Sequence, residues 1–221
     1  MNSWYLGANA AAKSILINLN VPDDDLGLAS SVRPFVLAWL LADSCSLAEA
    51  RECATELVAR SRTRSVPFDE ARGHWVLAEV LRQSGDLDAA DTEIQTALSM
   101  LRRVCPLDVS GALATQAALR LAQGRPQDAL AAAEEGMAKT EAMGKCSHFF
   151  RDAFLRLSHA ECLEATGDHD AARAAIAKAR EYLSMIEGKI PDPAHRQSFL
   201  EEVPENRRIC ELAEQWGIAA G

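Results

Sequence analysis

Strand-forming runs are missing from this chain. No stretch strings together the Val, Ile, Tyr and Thr that suit a pleated surface, which excludes a β-rich fold and points to an all-α protein. No apolar run reaches the roughly 18 residues of a membrane helix, so no helical span is expected. Basic excess is absent too: 23 Lys and Arg stand against 32 Asp and Glu, a formal charge of −9. Phosphate backbones need a basic surface, so nucleic acid is not an expected partner. The short basic runs Arg60–Arg64 and Arg102–Arg103 read as solvated helix ends that complement the dipole.

Cysteine pairs at metal or redox spacing are also lacking. The six cysteines, Cys45, Cys53, Cys105, Cys146, Cys162 and Cys210, include no C-x-x-C. No basic N-terminal region leads into an unbroken apolar core. The cysteines are therefore expected as small apolar groups in a reduced, cytoplasmic setting. Catalytic motifs are equally scarce. "GKCS" at Gly144–Ser147 has Lys139 where a phosphate loop needs its first glycine, and no strand precedes it. There is no G-x-S-x-G elbow. His159 and Cys162 lie one helical turn apart, with Cys146 and His148 on a nearby connection, and four such ligands suit zinc. Their spacing is that of no zinc module, so packing is the simpler role. His74, His169 and His195 sit beside joints or helix starts and read as capping or surface residues. The chain is expected to be no enzyme, with no metal and no cofactor.

What is present in quantity is alanine, set in a returning pattern. "LLADSCSLAEARECA" (Leu40–Ala54), "LAEVLRQSGDLDAA" (Leu77–Ala90), "LRLAQGRPQDALAAA" (Leu119–Ala133) and "ECLEATGDHDAARAA" (Glu161–Ala175) are four copies of one helix–turn–helix joint. Aligned on Cys45, Gly85, Gly124 and Gly167, they recur at steps of 40, 39 and 43 residues. Periods in this range mean stacked repeats. Glycine closes a helix in the left-handed conformation without a Cβ penalty. Asp86 and Asp168 then suit the next N-cap, Ser46 with Glu49 a capping box, and Pro126 a first helical turn. Cys45 in place of glycine predicts a less ideal first turn. Seven residues before the turn stand Ala38, Ala78, Ala117 and Ala160; five after it stand Ala50, Ala90, Ala129 and Ala172. Small residues at both places let two antiparallel helices cross closely.

This grammar resembles the tetratricopeptide repeat, whose motif has small residues at its eighth and twentieth positions and glycine at its fifteenth. The usual period is about 34, so longer helices or longer connections are expected here. The resemblance implies a right-handed α-solenoid of about four antiparallel helix-turn-helix repeats of roughly 40 residues. It divides the chain into an N-terminal helix or partial repeat with linker (1–30), four repeats (31–187) and a two-helix C-terminal cap (188–221). "WYLGANAAAKSILINLN" (Trp4–Asn20) resembles the opening of a further repeat, so residues 1–20 are expected as a partial or degenerate repeat or a cap.

The resemblance also implies where a partner docks, since the first helix of each repeat lines an inner groove. The second, fifth, ninth and twelfth positions are Val32, Phe35, Trp39 and Ala42; Arg72, Trp75, Glu79 and Arg82; Gly111, Ala114, Ala118 and Leu121; and Phe154, Leu157, Glu161 and Glu164. The Lys/Asn set that clamps a terminal carboxylate in chaperone-binding members is absent. The partner-binding residues implied on this face are Phe35, Trp39, Arg72, Trp75, Glu79, Arg82, Phe154 and Glu161, with the tryptophans as apolar anchors and Arg72 and Arg82 engaging acidic groups. The alternative for Trp39 and Trp75 is that they fill the interior.

The tail phrases Ile190-Pro191-Asp192, Arg196–Leu200 and Val203–Asn206 resemble the end of helical-repeat regions in large bacterial signalling proteins that carry a Ser/Thr kinase, cyclase or ATPase domain. No such domain is present here, so the chain reads as a free-standing relative or an excised region. The expected function is a protein- or peptide-binding scaffold or sensor in bacterial signalling or transcriptional regulation. The alternatives are a self-association module, forming homo-oligomers through its end repeats, and a small-ligand or metal-dependent regulator.

Overall fold

The computed structural model describes residues 28–143 and 151–218. The expected N-terminal partial repeat, Cys146, His148 and "GKCS" lie outside these residues. Among the described residues ten α-helices follow one another: α1 (Leu28–Asp43), α2 (Leu47–Thr63), α3 (Pro67–Gln83), α4 (Leu87–Val104), α5 (Val109–Ala122), α6 (Pro126–Ala142), α7 (Asp152–Ala165), α8 (His169–Glu187), α9 (Pro193–Glu201) and α10 (Pro204–Gln215). A 3-10 turn, Pro106–Asp108, leads into α5. No strand occurs among the described residues, and none of their helices is long and apolar enough to cross a membrane. Four of these helices begin on proline, whose fixed φ and missing N–H suit the first turn.

The molecule is an all-α solenoid of helical hairpins. Helices α1–α2, α3–α4, α5–α6 and α7–α8 pair, and each hairpin stacks on the next. Odd-numbered helices also touch one another in succession, α1 to α3 to α5 to α7. After α8 the series changes: α10 takes the next place against α7 and α8, with α9 bridging α8 and α10. Asn206 Nδ2 donates to the Phe199 carbonyl (2.9 Å), fixing the α9–α10 corner. The long period goes mainly into helices: α2, α3 and α6 run 17 residues, α4 18 and α8 19.

The joints follow the glycine chemistry. Gly85, Gly124 and Gly167 have φ of 83°, 71° and 88°. The Gly85 N–H donates to Arg82 O and the Asp86 N–H to Leu81 O, a Schellman closure repeated at every hairpin. Cys45 makes the same two bonds at φ 59°. The first turn thus keeps its geometry and carries the strain of a side chain in the left-handed region, about 1–2 kcal/mol. Cys45 is exposed, against the expectation of a small buried group. Capping is sparser than expected. Asp168 accepts from the Ala171 N–H at 3.1 Å, while Asp86 and Ser46 make no side-chain cap bond and leave closure to the backbone turn.

All eight alanines flanking the turns are completely buried. They let the hairpin helices approach so that Leu41, Leu81, Ile94, Leu98, Ile176 and Leu183 fill the space around them. Two clusters result, one from Phe35 to Cys162 and one around α7, α8 and the last two helices.

Two helical glycines show how tight the crossings are. A Cβ on Gly73 would lie 2.7 Å from Val58 Cγ2 and 3.1 Å from the Val58 nitrogen. A Cβ on Gly136 would meet Leu155 Cδ1 at 2.7 Å, the free end of a flexible side chain. Alanine gains about 1 kcal/mol over glycine in a helix, and overpacking costs about 1–3. Valine is stiff at χ1 and backbone cannot yield, so Gly73→Ala is expected to lower stability by about 1–2 kcal/mol. Gly136→Ala should be neutral or slightly stabilising, because Leu155 can move. Urea midpoints of the two variants test this; equal shifts would sink the distinction.

Candidate functional site

Four of the groove positions implied by the repeat pattern pack into one block, in which Phe35, Trp39 and Trp75 are buried and Arg72 is half-buried. Trp39 and Trp75 are 0% exposed, their ring centroids 5.5 Å apart in an edge-on pair. Phe35 lies 6.3 Å from Trp39 and 5.8 Å from Trp75. Trp75 Nε1 donates to Thr115 Oγ1 at 3.1 Å, tying α3 to α5. The Arg72 guanidinium sits over Phe68 (4.1 Å) and Phe35 (4.9 Å), and its Nε donates to Asp108 Oδ2 at 2.6 Å. The tryptophans are therefore core residues in this structure, and Arg72 is already matched to an acid of its own chain. Large aromatics at helical spacing read alike in a core and in a groove; only burial separates them.

The remaining groove positions converge. Ala42, Glu79, Arg82, Phe154 and Leu157 line a cavity of about 290 Å³, together with Asp43, Cys45, Gln83, Arg151, Pro204, Glu205 and Arg207. Its walls come from α1, α3, α7 and α10, so the first and last described repeats meet there. Glu161 is half-buried one turn beyond Leu157 and faces Arg208 at 3.6 Å. Gly111 and Ala114 of α5 are buried and do not line the cavity.

Arg151 is the centre of the site. It precedes α7 with φ 66°, and its side chain is 5% exposed. Its guanidinium stacks 4.4 Å over Trp39 and 4.6 Å over Phe154. Nη1 lies 3.2 Å from Asp43 Oδ1 and 3.5 Å from Glu205 Oε1. Burial opposes the charge on Arg151, but Glu205, Asp43 and Glu79 outweigh it and hold the guanidinium protonated. Burial pushes Asp43 up to about 7 despite the pull of Arg151, with Glu205 and Glu79 adding to the rise. Glu79 is also buried, yet Arg82 holds it below the usual carboxylate range. Arg82 donates to it through Nη2 (2.6 Å) and Nε (3.0 Å), and Gln83 Nε2 donates at 2.8 Å.

Sequence patterning missed Asp43, Gln83, Arg151, Glu205 and Arg207. Asp43 follows Ala42, and Glu205 follows a helix-starting proline, but neither position announces a partner. Arg151 is 108 residues from Asp43, and arginine with positive φ ahead of a helix has no pattern to find it by.

The histidines have other roles. His74, expected near the surface, is buried. Its Nε2 lies 3.1 Å from Arg62 Nη2, which can only donate, so Nδ1 carries the proton and donates to Glu93. His169 is exposed and pairs with Glu164 at 2.9 Å. Burial pushes the Cys162 thiol up to about 12, which keeps it protonated, and lowers His159. Among the described residues no group of three or more His, Cys, Asp or Glu is disposed to hold a metal ion.

No family model matches the chain, and no curated protein matches it. Among solved structures it is similar to the apo form of RapI, at 11% identity over 96% of this chain and 80% of that one, with a TM-score of 0.59. It is also similar to a variant of a Podosopora anserina chain of nearly identical TPR-like repeats, at 16% identity over 82% of this chain and 86% of that one, with a TM-score of 0.51. These likenesses show the fold: a TPR-like array of stacked helical hairpins.

Proposed function

We propose that this chain is a non-enzymatic protein- or peptide-binding scaffold or sensor, working in the cytoplasm in bacterial signalling or transcriptional regulation. One observation carries the reading. Four helices far apart in sequence converge on a single cavity walled by guanidinium–carboxylate pairs and by Phe154, Leu157 and Pro204. Such a mixed wall suits side-chain recognition, with an aromatic and arginines as the usual interface anchors. Docking involves Arg82, Phe154 and Glu161, with Glu79 holding Arg82 in place. Phe35, Trp39, Arg72 and Trp75 shape the wall from behind. The bacterial regulatory setting rests on the tail phrases from Ile190 to Asn206.

The test is selection from a random-peptide display library on the immobilised full chain. Selected peptides should compete with one another and bind the Phe154→Ala and Glu161→Ala variants at least about tenfold more weakly, a loss in the range of a single anchor. Circular dichroism and melting of each variant check its fold. Peptides that bind both variants as tightly as the parent would overturn the groove assignment.

A further inference from the structure

We propose that the cavity between α1, α3, α7 and α10 takes a positively charged group of the partner segment, a lysine or arginine side chain or an amino terminus, against Asp43 and Glu205. This rests on the groove reading above and adds the chemistry of what enters.

The charge balance points there. Of the charged groups on the cavity wall, three carboxylates, Asp43, Glu79 and Glu205, and two guanidiniums, Arg82 and Arg151, are mostly buried, while the third guanidinium, Arg207, stands at the mouth with its side chain 59% exposed. Arg82 is committed to Glu79 through two hydrogen bonds. Arg151 alone is left to serve Asp43 and Glu205, whose side chains are 6% and 8% exposed. One buried carboxylate is in excess, and burying a carboxylate without a counter-charge is costly. The rim does not correct this, because its charges balance among themselves. Arg207 is mostly exposed and lies 3.8 Å from Glu211, and Arg208 serves Glu161 and Glu211. Helix α2, which also packs on α1, puts none of its described residues on the wall.

The shape agrees. About 290 Å³ is ample room for one side chain to enter from the open mouth. Phe154, Leu157 and Pro204 offer apolar surface for a methylene stem, while the charged head meets the carboxylates.

A proton is the counter-charge when the cavity is free. Burial raises Asp43 to about 7, above its ordinary 3.8, so near neutrality it is partly protonated. A cation entering beside it favours the ionised form and releases that proton. The ionised fraction of such a group rises about tenfold between pH 6 and pH 8, and affinity for a cation rises with it.

The probe is n-butylammonium, compared with n-butanol and butyrate, titrated into the full chain and followed by NMR at Asp43, Phe154 and Glu205. Butylammonium should bind saturably and at least about tenfold more tightly than either control, and about tenfold more tightly at pH 8 than at pH 6. Asp43→Asn keeps an acceptor for Arg151 and removes the excess charge; it should abolish the pH dependence and weaken binding about tenfold. Equal affinity for butanol, no saturable shift with butylammonium at pH 8, or unchanged affinity in Asp43→Asn would overturn the proposal. The parent protein's probe and pH series decides the matter even where Asp43→Asn folds poorly. Display-selected peptides that depend on Phe154 but tolerate norleucine for lysine or arginine would overturn the charge assignment and leave the groove reading standing. Peptides indifferent to Phe154, with butylammonium still bound at Asp43, would do the reverse.

Discussion

Arg151→Met is expected to destabilise the protein by about 3–5 kcal/mol, the cost of removing one partner from a buried ion pair. For a domain of this size that is a fall of roughly 10 °C in melting temperature. The methionine fills similar space, and the positive φ at position 151 strains both residues alike. What changes is charge. Asp43 and Glu205 lose their shared guanidinium, and Trp39 and Phe154 lose the cation between them. The sign of the pH effect follows from Asp43. Its folded pKa lies near 7, above its ordinary 3.8. Its contribution to stability is therefore fully present below about pH 3.8 and is lost as the pH rises through 7. Without Arg151 nothing offsets ionisation, so the deficit of Arg151→Met should be larger at pH 8 than at pH 5. Adding Asp43→Asn and Glu205→Gln to Arg151→Met should recover more than half of the loss, because amides cost less to bury than carboxylates. Urea denaturation of the parent, the single variant and the combined variants at both pH values measures all of this. A single-variant loss under about 1 kcal/mol would mean that Arg151 is not the ionic centre of the site.

Trp75→Ala is expected to cost about 3–5 kcal/mol as well, for a different reason. The indole is fully buried, packs on Trp39 and Phe35, and donates to Thr115. Truncation opens a cavity where α1, α3 and α5 meet and strips the Thr115 hydroxyl of its donor. Trp75→Phe should lose less, since most of the ring volume remains. Both losses appear in the absence of any partner. A Trp75→Ala protein of parental stability that binds selected peptides poorly would restore Trp75 as a groove anchor.

Much of the fold was legible because its rules are local. A glycine at Gly85, Gly124 or Gly167 permits the left-handed turn whatever surrounds it. Small residues seven before and five after that turn are all that two close helices require at their crossing. The repeat frame also brought Ala42, Glu79, Arg82, Phe154 and Leu157 onto one face, since helical periodicity alone sets which positions look the same way. Trp39 and Trp75 satisfied the same frame and proved to be interior, and Arg72, half-buried, proved to be paired with Asp108. The frame says which way a side chain points and is silent on what the next repeat lays over it.

The charged centre lay beyond such rules. Asp43, Arg151 and Glu205 belong to the first, fourth and last parts of the array, and no spacing relates them. They meet because successive hairpins curve until α10 comes beside α7 and within reach of the end of α1. The sequence by itself determined the hairpin, its turn chemistry, its close alanine crossings and the direction of its inner face, all properties of neighbours along a helix. Only the tertiary structure decided which aromatics are covered, that one arginine answers two carboxylates, and that a cavity remains beside them. Burial and charge pairing depend on the summed curvature of every repeat, which no single repeat encodes.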